Sequence, residues 1–169
     1  RLPYLVGNTN ATWTLVAGST LKIKVDGDAA DTVTFDAAVA TMTSGTGSYP
    51  TSFAGGETLV LTTDVGTDRA IDLVTVTFTS ADSTRSAVIS RINTAMGYTC
   101  AAAGATDVIV LSGQIAGTAG HVQVVSLSAA VGTKTGLTAT TVAGTGDVAN
   151  ITGVTYAEVV ARIEAESVG

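Results

Sequence analysis

A four-residue string that occurs twice limits what this chain can fold into more than any other feature of its sequence. Residues 32–35 and residues 75–78 both read Thr-Val-Thr-Phe, and each copy follows a Thr-Leu strand and a turn containing Asp and Gly. A second pair of segments, residues 84–92 and 155–163, has Thr, Val, Arg and Ile at the same places in a helix-like pattern. Because repetition of this kind usually builds surfaces rather than pockets, the sequence points to architecture and assembly.

The composition predicts a β-rich fold with an aliphatic core. Val, Ala, Leu and Ile far outnumber the aromatic residues, which make up 5% of the chain. Thr is the commonest residue, and 19 Gly stand against 2 Pro, a mixture that suits short strands joined by glycine turns. We therefore expect a β-rich α+β fold of short antiparallel hairpins and small sheets, with one packed helix per module and the module repeated.

The charge pattern argues against two classes of partner. Charged residues make up 13% of the chain, and the net charge is −6. Because no stretch of basic residues could neutralise phosphates, we expect no nucleic acid partner. No run approaches the roughly 20 apolar residues that cross a bilayer, so we expect no membrane partner. Because the chain begins with Arg1 and has no signal-peptide layout, we expect a processed form or the ordered part of something longer.

Patterning along the chain divides it into four segments. Residues 1–19 are predicted to be an N-terminal arm or docking strand. Residues 20–55 are predicted to hold the first hairpin and an exposed connector, whose Ala-rich start is compatible with a helical turn. Residues 56–147 are predicted to form a β-hairpin, helix and β module. Residues 148–169 are predicted to form a C-terminal helix, either a cap or the start of a further module.

The central module contains the clearest helix signal. Ser80 or Asp82 is predicted to cap a helix that runs to about Met96 and ends at Gly97. The apolar face of this helix is predicted to be Val88, Ile89, Ile92 and Met96. Strands are expected near residues 98–102, 108–111 and 121–127. Residues 128–150 show no strong period before the last helix, in which Tyr156, Val159, Val160 and Ile163 make an apolar face.

One group of carboxylates is a calcium candidate. Asp26, Asp28 and Asp31 stand at the turn of the first hairpin, where alternating carboxylates could converge on a cation. Their spacing differs from that of the helix-loop-helix calcium loop, and Asp is a common residue in tight turns. Asp64, Asp68 and Asp72 in the second hairpin loop allow the same two interpretations, a cation site or turn residues, and Arg69 is predicted to pair with one of them on the surface.

The residues that could support catalysis do not form a recognisable pattern. The single histidine, His121, has no nucleophile elbow or ordered acid partner in the sequence and is interpreted as a surface or turn residue. Cys100 is the single cysteine and is interpreted as a small core residue. The glycine-rich residues 113–120 lack the Lys and the following helix of a phosphate-binding loop. We predict a protein that is not an enzyme and needs no cofactor.

Residues 56–127 resemble a module of flagellin and hook-associated proteins that is named after an Ile-Asn pair, here Ile92 and Asn93. They also look like modules in structural proteins of tailed-phage particles. Residues 20–35 and 148–167 resemble the module in part. The last copy has Glu164 at the place of Asn, the first hairpin has no helix after it, and the chain has none of the long coiled-coil termini of flagellins. These departures favour the phage resemblance.

The resemblance implies a virion protein that contacts copies of itself and other virion proteins. It would be a capsid decoration, fibre or tail component, and we expect a homo-oligomer. The alternatives are a flagellar cap-type domain and an extracellular, cell-surface adhesin that binds a glycan. Aromatic residues outside the repeated strings are the predicted contact anchors, since aromatics often bury at interfaces: Tyr4, Trp13, Tyr49 and Phe53. The other interpretation is that they cover the chain's own core.

Overall fold

The computed structural model describes residues 11–24 and 30–166. The described strands are β1 (Thr12–Trp13), β2 (Ser19–Ile23), β3 (Asp31–Phe35), β4 (Ala37–Thr43), β5 (Thr58–Thr63), β6 (Ile71–Thr77), β7 (Ala101–Ala103), β8 (Ile109–Ala116), β9 (His121–Leu127), β10 (Thr140–Ala143), β11 (Thr145–Gly146) and β12 (Val154–Thr155). The described helices are α1 (Arg85–Met96), α2 (Ala129–Thr135) and α3 (Tyr156–Glu166), with a 3₁₀ turn at Ile151–Gly153. The chain therefore has a β-rich α+β fold.

Two four-stranded antiparallel sheets form the larger part of the described structure. One has the order β10-β9-β5-β6 and the other the order β11-β4-β8-β7. Two smaller sheets pair β1 with β12 and β2 with β3. The hairpin predicted for the first Thr-Val-Thr-Phe string is confirmed by β2 and β3, and the second hairpin is confirmed by β5 and β6.

Both large sheets contribute to one aliphatic core. Strand β8 alternates buried and half-buried residues along its length, which places Ile109 and Leu111 against the other sheet. Helix α1 covers one edge of this core with Val88, Ile92 and Met96, as its period predicted. The helix ends at Gly97, whose φ of 76° is the left-handed conformation that glycine adopts without strain.

A smaller core joins the two ends of the described chain. Val33 and Phe35 of β3 are buried together with Val148, Ile151 and Val154. Half-buried residues of α3, Val159 and Ile163, pack against this cluster. Val76 and Phe78 of the second Thr-Val-Thr-Phe string are likewise buried, in the larger core. In both strings, therefore, the Val and Phe side chains face a core. The hairpin β2–β3, which has no helix directly after it in sequence, receives α3 from the far end of the chain.

Residues 36–57 are the predicted exposed connector only in part. Residues 37–43 form β4, which pairs with β8 and β11 and buries Ala40 and Met42. The Ala-rich composition suggested a helical turn, but alternate small side chains fit between two packed sheets, and pairing with β8 decides the conformation. Residues 44–57 form no helix or strand and are mostly exposed, but some of their side chains enter the core, among them Phe53 at 3% exposure.

Two further predictions are corrected at helices. The cap of α1 is Thr84, whose hydroxyl accepts from the backbone N–H of Ala87 at 3.1 Å, and not Ser80 or Asp82. Asp82 instead accepts from Thr79 and pairs with Arg91 at 3.2 Å. Residues 128–150 contain helix α2 and strands β10 and β11. These elements were not predicted, because their sequences are short, polar and rich in glycine.

Candidate interaction surface

An apolar groove of about 300 Å³ lies between strand β2 and helix α3, beside strand β1. All but two of its lining side chains are aliphatic or aromatic, and the exceptions are Ser19 and Thr20. The lining is Trp13, Leu15, Ser19, Thr20, Leu21, Phe35, Tyr156, Val159, Val160 and Ile163. Contiguous apolar surface of this kind marks sites where a protein contacts another surface or an apolar ligand.

The N-terminal strand places Trp13 at the groove. Strand β1 pairs antiparallel with β12, with Trp13 opposite Val154. The next residues continue the attachment, since the N–H of Leu15 donates to the Ile151 carbonyl at 2.9 Å and the Thr14 hydroxyl donates to the Thr152 carbonyl at 3.1 Å. Trp13 nevertheless keeps 37% of its surface exposed. Among the predicted aromatic anchors within the described residues, it is the exposed one.

A reciprocal cap fixes the start of α3. The Thr155 hydroxyl accepts from the N–H of Glu158 at 3.3 Å, and the Glu158 carboxylate accepts from the N–H of Thr155 at 2.8 Å. The carboxylate also accepts from the N–H of Ala149 at 2.6 Å. Burial raises the pKa of Glu158, but these hydrogen bonds from Ala149 and Thr155 outweigh it, so the pKa lies below its ordinary value. The sequence pattern Thr-x-x-Glu could have predicted this cap.

Arg162 fastens α3 to the hairpin that forms the other wall of the groove. Its Nε donates to the Thr34 carbonyl of β3 at 3.1 Å and lies 3.5 Å from the Asp147 carboxylate. Its terminal nitrogen pairs with Glu166 one turn later at 2.8 Å. Arg91 occupies the same place in the similar segment of α1 and also meets an aspartate.

The two similar helices differ in how far they are covered. In α1, Val88, Ile92 and Met96 are buried in the larger core. In α3, the residues Val159, Val160 and Ile163 all stay half-buried, and no residue of the helix is fully buried. The groove is therefore the part of the α3 surface that remains uncovered, whereas the corresponding side chains of α1 are packed against the core.

A second apolar surface lies on the outer face of the sheet that contains β5, β6 and β9. Its exposed aliphatic side chains are Leu73 at 67%, Val65 at 46% and Val125 at 37% exposure. Asp72 and His121 line the same shallow depression. His121 is the half-buried first residue of β9, and its Nε2 accepts from the N–H of Val65 in the neighbouring turn at 3.3 Å.

The calcium candidate stays a prediction. Asp26 and Asp28 lie outside the described residues, and Asp31 is an exposed residue at the start of β3. Within residues 11–24 and 30–166, no group of three His, Cys, Asp or Glu side chains is arranged to hold a metal ion. Tyr4 also lies outside the described residues.

Two of the predicted contact anchors lie in the chain's own core. Phe53 stacks on Phe78 with ring centroids 4.8 Å apart, and the Lys134 ammonium, which donates to the Ser52 carbonyl, lies 4.9 Å from the centre of the Phe53 ring. Tyr49 packs against the same core, and burial raises its pKa to about 12. For these two aromatics the structure agrees with the alternative interpretation, a role in covering the monomer's core.

Other residues singled out from the sequence are structural. Cys100 is 1% exposed, which confirms the interpretation of a core residue, and burial raises the pKa of its thiol. Asp64 is fully buried, so of the three aspartates considered as surface partners of Arg69 only Asp68 and Asp72 are exposed. The Asp64 carboxylate accepts from the N–H groups of Gln114 at 2.6 Å and His121 at 3.1 Å. Sequence reasoning missed this residue because a turn aspartate has the same local pattern whether it is buried or exposed.

Comparison with protein-family models, with curated proteins and with solved structures found no match. In the part of the chain that the structure describes, no helix combines the length and the apolar character needed to span a bilayer.

Proposed function

We propose that this chain is a non-enzymatic structural protein of a tailed-phage particle, as a capsid decoration, fibre or tail component. It acts through contacts with copies of itself and with other virion proteins. The observation that carries the proposal is the groove between β2 and α3, with Trp13 exposed at its wall. Aromatic anchors in apolar depressions are the features that contribute most to the stability of protein–protein contacts.

The internal similarity supports a modular building element. The two Thr-Val-Thr-Phe strands bury the same two side chains, and each hairpin packs against a helix of the similar pair. Thr84 and Thr155 cap those helices with the same hydroxyl contact to the residue three positions later. A chain that uses one hairpin-and-helix device twice presents extended sheet faces and strand edges, which suits attachment to neighbouring subunits.

The chemistry of the groove favours a protein contact over the glycan-binding alternative. Glycans are recognised by several hydrogen-bonding side chains around an aromatic platform. The polar side chains that line this groove are Ser19, Thr20 and Tyr156, and the rest, including Trp13 and Phe35, are apolar. The flagellar cap-type alternative uses the same kind of subunit contact. The Asn93 side chain that bridges to a strand in the central module is replaced at the end of the chain by Glu164, a departure that favours the phage assignment.

The proposal is tested by sedimentation velocity of the whole chain over a wide range of concentration, together with binding to a glycan array. We expect a concentration-dependent increase in sedimentation coefficient and no glycan binding. Mass spectrometry of purified particles should find the chain in many copies per particle. A monomer at every concentration that binds a glycan tightly would replace this proposal by the adhesin alternative.

A further inference from the structure

The groove between β2 and α3 is small and apolar, and its walls are uncovered within the described residues. Its volume is about 300 Å³, which is the lower end of the range for sites that hold a ligand. Leu21 on one wall is 38% exposed and Trp13 on another is 37% exposed. A groove of this size suits a few apolar side chains of an extended segment better than a whole folded surface.

Three short segments lie outside the described residues, and one of them matches the groove in chemistry. Residues 25–29 read Val-Asp-Gly-Asp-Ala and residues 167–169 read Ser-Val-Gly, so neither offers more than one large apolar side chain. Residues 2–6 read Leu-Pro-Tyr-Leu-Val, and residues 2–10 contain no charged side chain. No ion has to be stripped of water when residues 2–6, which we call the apolar arm, enter the groove.

The apolar arm is joined to the described chain at the groove itself. Strand β1 pairs antiparallel with β12, and Thr12 lies opposite Thr155. One step further along this register, Ala11 falls beside Tyr156, the first residue of α3 and part of the groove lining. Residues 7–10 are therefore all that separates the apolar arm from the wall of the groove.

The length of this connection favours the groove of a second copy. Four residues that continue β1 as a strand span about 13 Å. The α3 side of the groove, from Tyr156 to Ile163, extends about 10 Å along the helix axis. A straight connection thus carries the apolar arm past its own groove. Fully extended, the ten residues before Ala11 reach about 33 Å from the groove wall, which is far enough to enter the groove of a neighbouring copy.

We propose that the apolar arm of one copy occupies the groove of a second copy, whose own arm occupies the groove of the first. This inference rests on the proposed function, because it names the segment that joins two copies. The contact is isologous, since each copy gives the same segment and receives it at the same surface, and it closes as a dimer. Tyr4, the predicted contact anchor in the arm, then enters the groove that Trp13 lines.

Disulfide cross-linking between two variants tests the exchange. Pro3→Cys places a thiol in the apolar arm, and Thr20→Cys places one at an exposed residue of the groove lining. After mild oxidation of an equimolar mixture, mass spectrometry should find one chain of each kind linked together. Thr94→Cys, at an exposed residue of α1, is the control and should link to the Pro3→Cys chain more slowly. Equal rates for the two partners overturn the inference.

A chain that carries both Pro3→Cys and Thr20→Cys distinguishes exchange from folding back. Exchange predicts a bond between two copies, which forms less as the protein is diluted below the concentration at which it associates. A bond that forms within single copies at every concentration would place the apolar arm in its own groove and overturn the inference.

The apolar character of the arm is tested with Leu5→Asp in the whole chain. Because a buried leucine is replaced by a charge, sedimentation velocity should show association at least about tenfold weaker, with an unchanged far-ultraviolet circular dichroism spectrum. Asn8→Asp is the matched control, since it adds the same charge outside the apolar arm and should leave association unchanged. Association that survives Leu5→Asp overturns this inference and leaves the proposed function standing. A monomeric original chain overturns it together with the self-association in the proposed function.

Discussion

The side-chain amide of Asn93 forms hydrogen bonds with both the backbone N–H and the backbone carbonyl of Ala101. The Asn93 amide nitrogen donates to the Ala101 carbonyl at 2.9 Å, and the Asn93 carbonyl oxygen accepts from the Ala101 N–H at 2.6 Å. The side-chain amide thus takes the place of a neighbouring strand and attaches β7 to α1. Ile92, one residue earlier, is fully buried in the core, so the Ile-Asn pair joins packing and strand attachment at one point of the helix.

Removal of the Asn93 amide is expected to destabilise the fold. Asn93→Ala leaves the N–H and C=O of Ala101 without these partners, which should lower the free energy of unfolding by about 1–3 kcal/mol. Urea unfolding followed by circular dichroism measures the change. Thr94→Ala is the control, because Thr94 is an exposed neighbour on the same helix and its loss should cost less than about 0.5 kcal/mol. Equal effects of the two substitutions would contradict the role assigned to Asn93.

The buried carboxylate of Asp64 should matter more than its exposed neighbour. Asparagine, like aspartate, tolerates the backbone φ of 52° at position 64, so Asp64→Asn does not strain the backbone. The substitution replaces one acceptor oxygen by an NH₂ donor, which then faces a backbone N–H group. We expect a loss of about 1.5–3 kcal/mol in the free energy of unfolding. Asp68→Asn on the exposed part of the same loop should change it by less than about 0.5 kcal/mol. A neutral Asp64→Asn variant would show that the carboxylate is dispensable.

Acid should weaken the attachment of α3. Because the pKa of Glu158 in the folded chain lies below its ordinary value of 4.5, the ionised carboxylate stabilises the fold at neutral pH. That contribution is present above the ordinary value and is lost as the pH falls through the lower, folded-state pKa. Glu158→Gln should cost about 1 kcal/mol at neutral pH, as the loss of a cap does. The difference between the two chains in urea unfolding should shrink in acid, and a difference that grows in acid would contradict the assignment.

The Cys100 thiol should resist modification in the folded chain. Burial raises its pKa, so the reactive thiolate is scarce at neutral pH, and the side chain is 1% exposed. Its reaction with a coloured disulfide reagent should be slow in buffer and fast in concentrated urea. Fast reaction without denaturant would mean that β7 and β8 open readily around this residue.

Local pattern was sufficient for the elements whose burial is regular. The strict alternation of residues 21–25 predicted the first hairpin, and the repeated Thr-Val-Thr-Phe string indicated the second. The period of Val88, Ile89, Ile92 and Met96 predicted α1. The span of β9 was predicted to the residue. In each case one face of the element is buried against one partner, so the sequence carries the period of the structure.

Long-range pairing accounts for what the sequence did not predict. Nothing local distinguishes Ala37–Thr43 from a loop, and its place beside β8 is decided by residues about seventy positions later. The groove also depends on long-range contacts, because β1 and β2 come from one end of the chain and α3 from the other. Trp13 was predicted as a contact anchor from its residue type, whereas the burial of Phe53 and Tyr49 depends on packing that the sequence does not reveal.

The fluorescence of Trp13 tests most directly whether the groove is a contact between subunits. Trp13 is the single tryptophan of the chain and lines the groove with 37% of its surface exposed, so its emission reports on that site alone. If another copy covers the groove, the emission maximum lies at short wavelength in concentrated solution and moves to longer wavelength on dilution, in step with dissociation measured by sedimentation. An emission maximum that stays constant while the sedimentation coefficient changes would contradict the account.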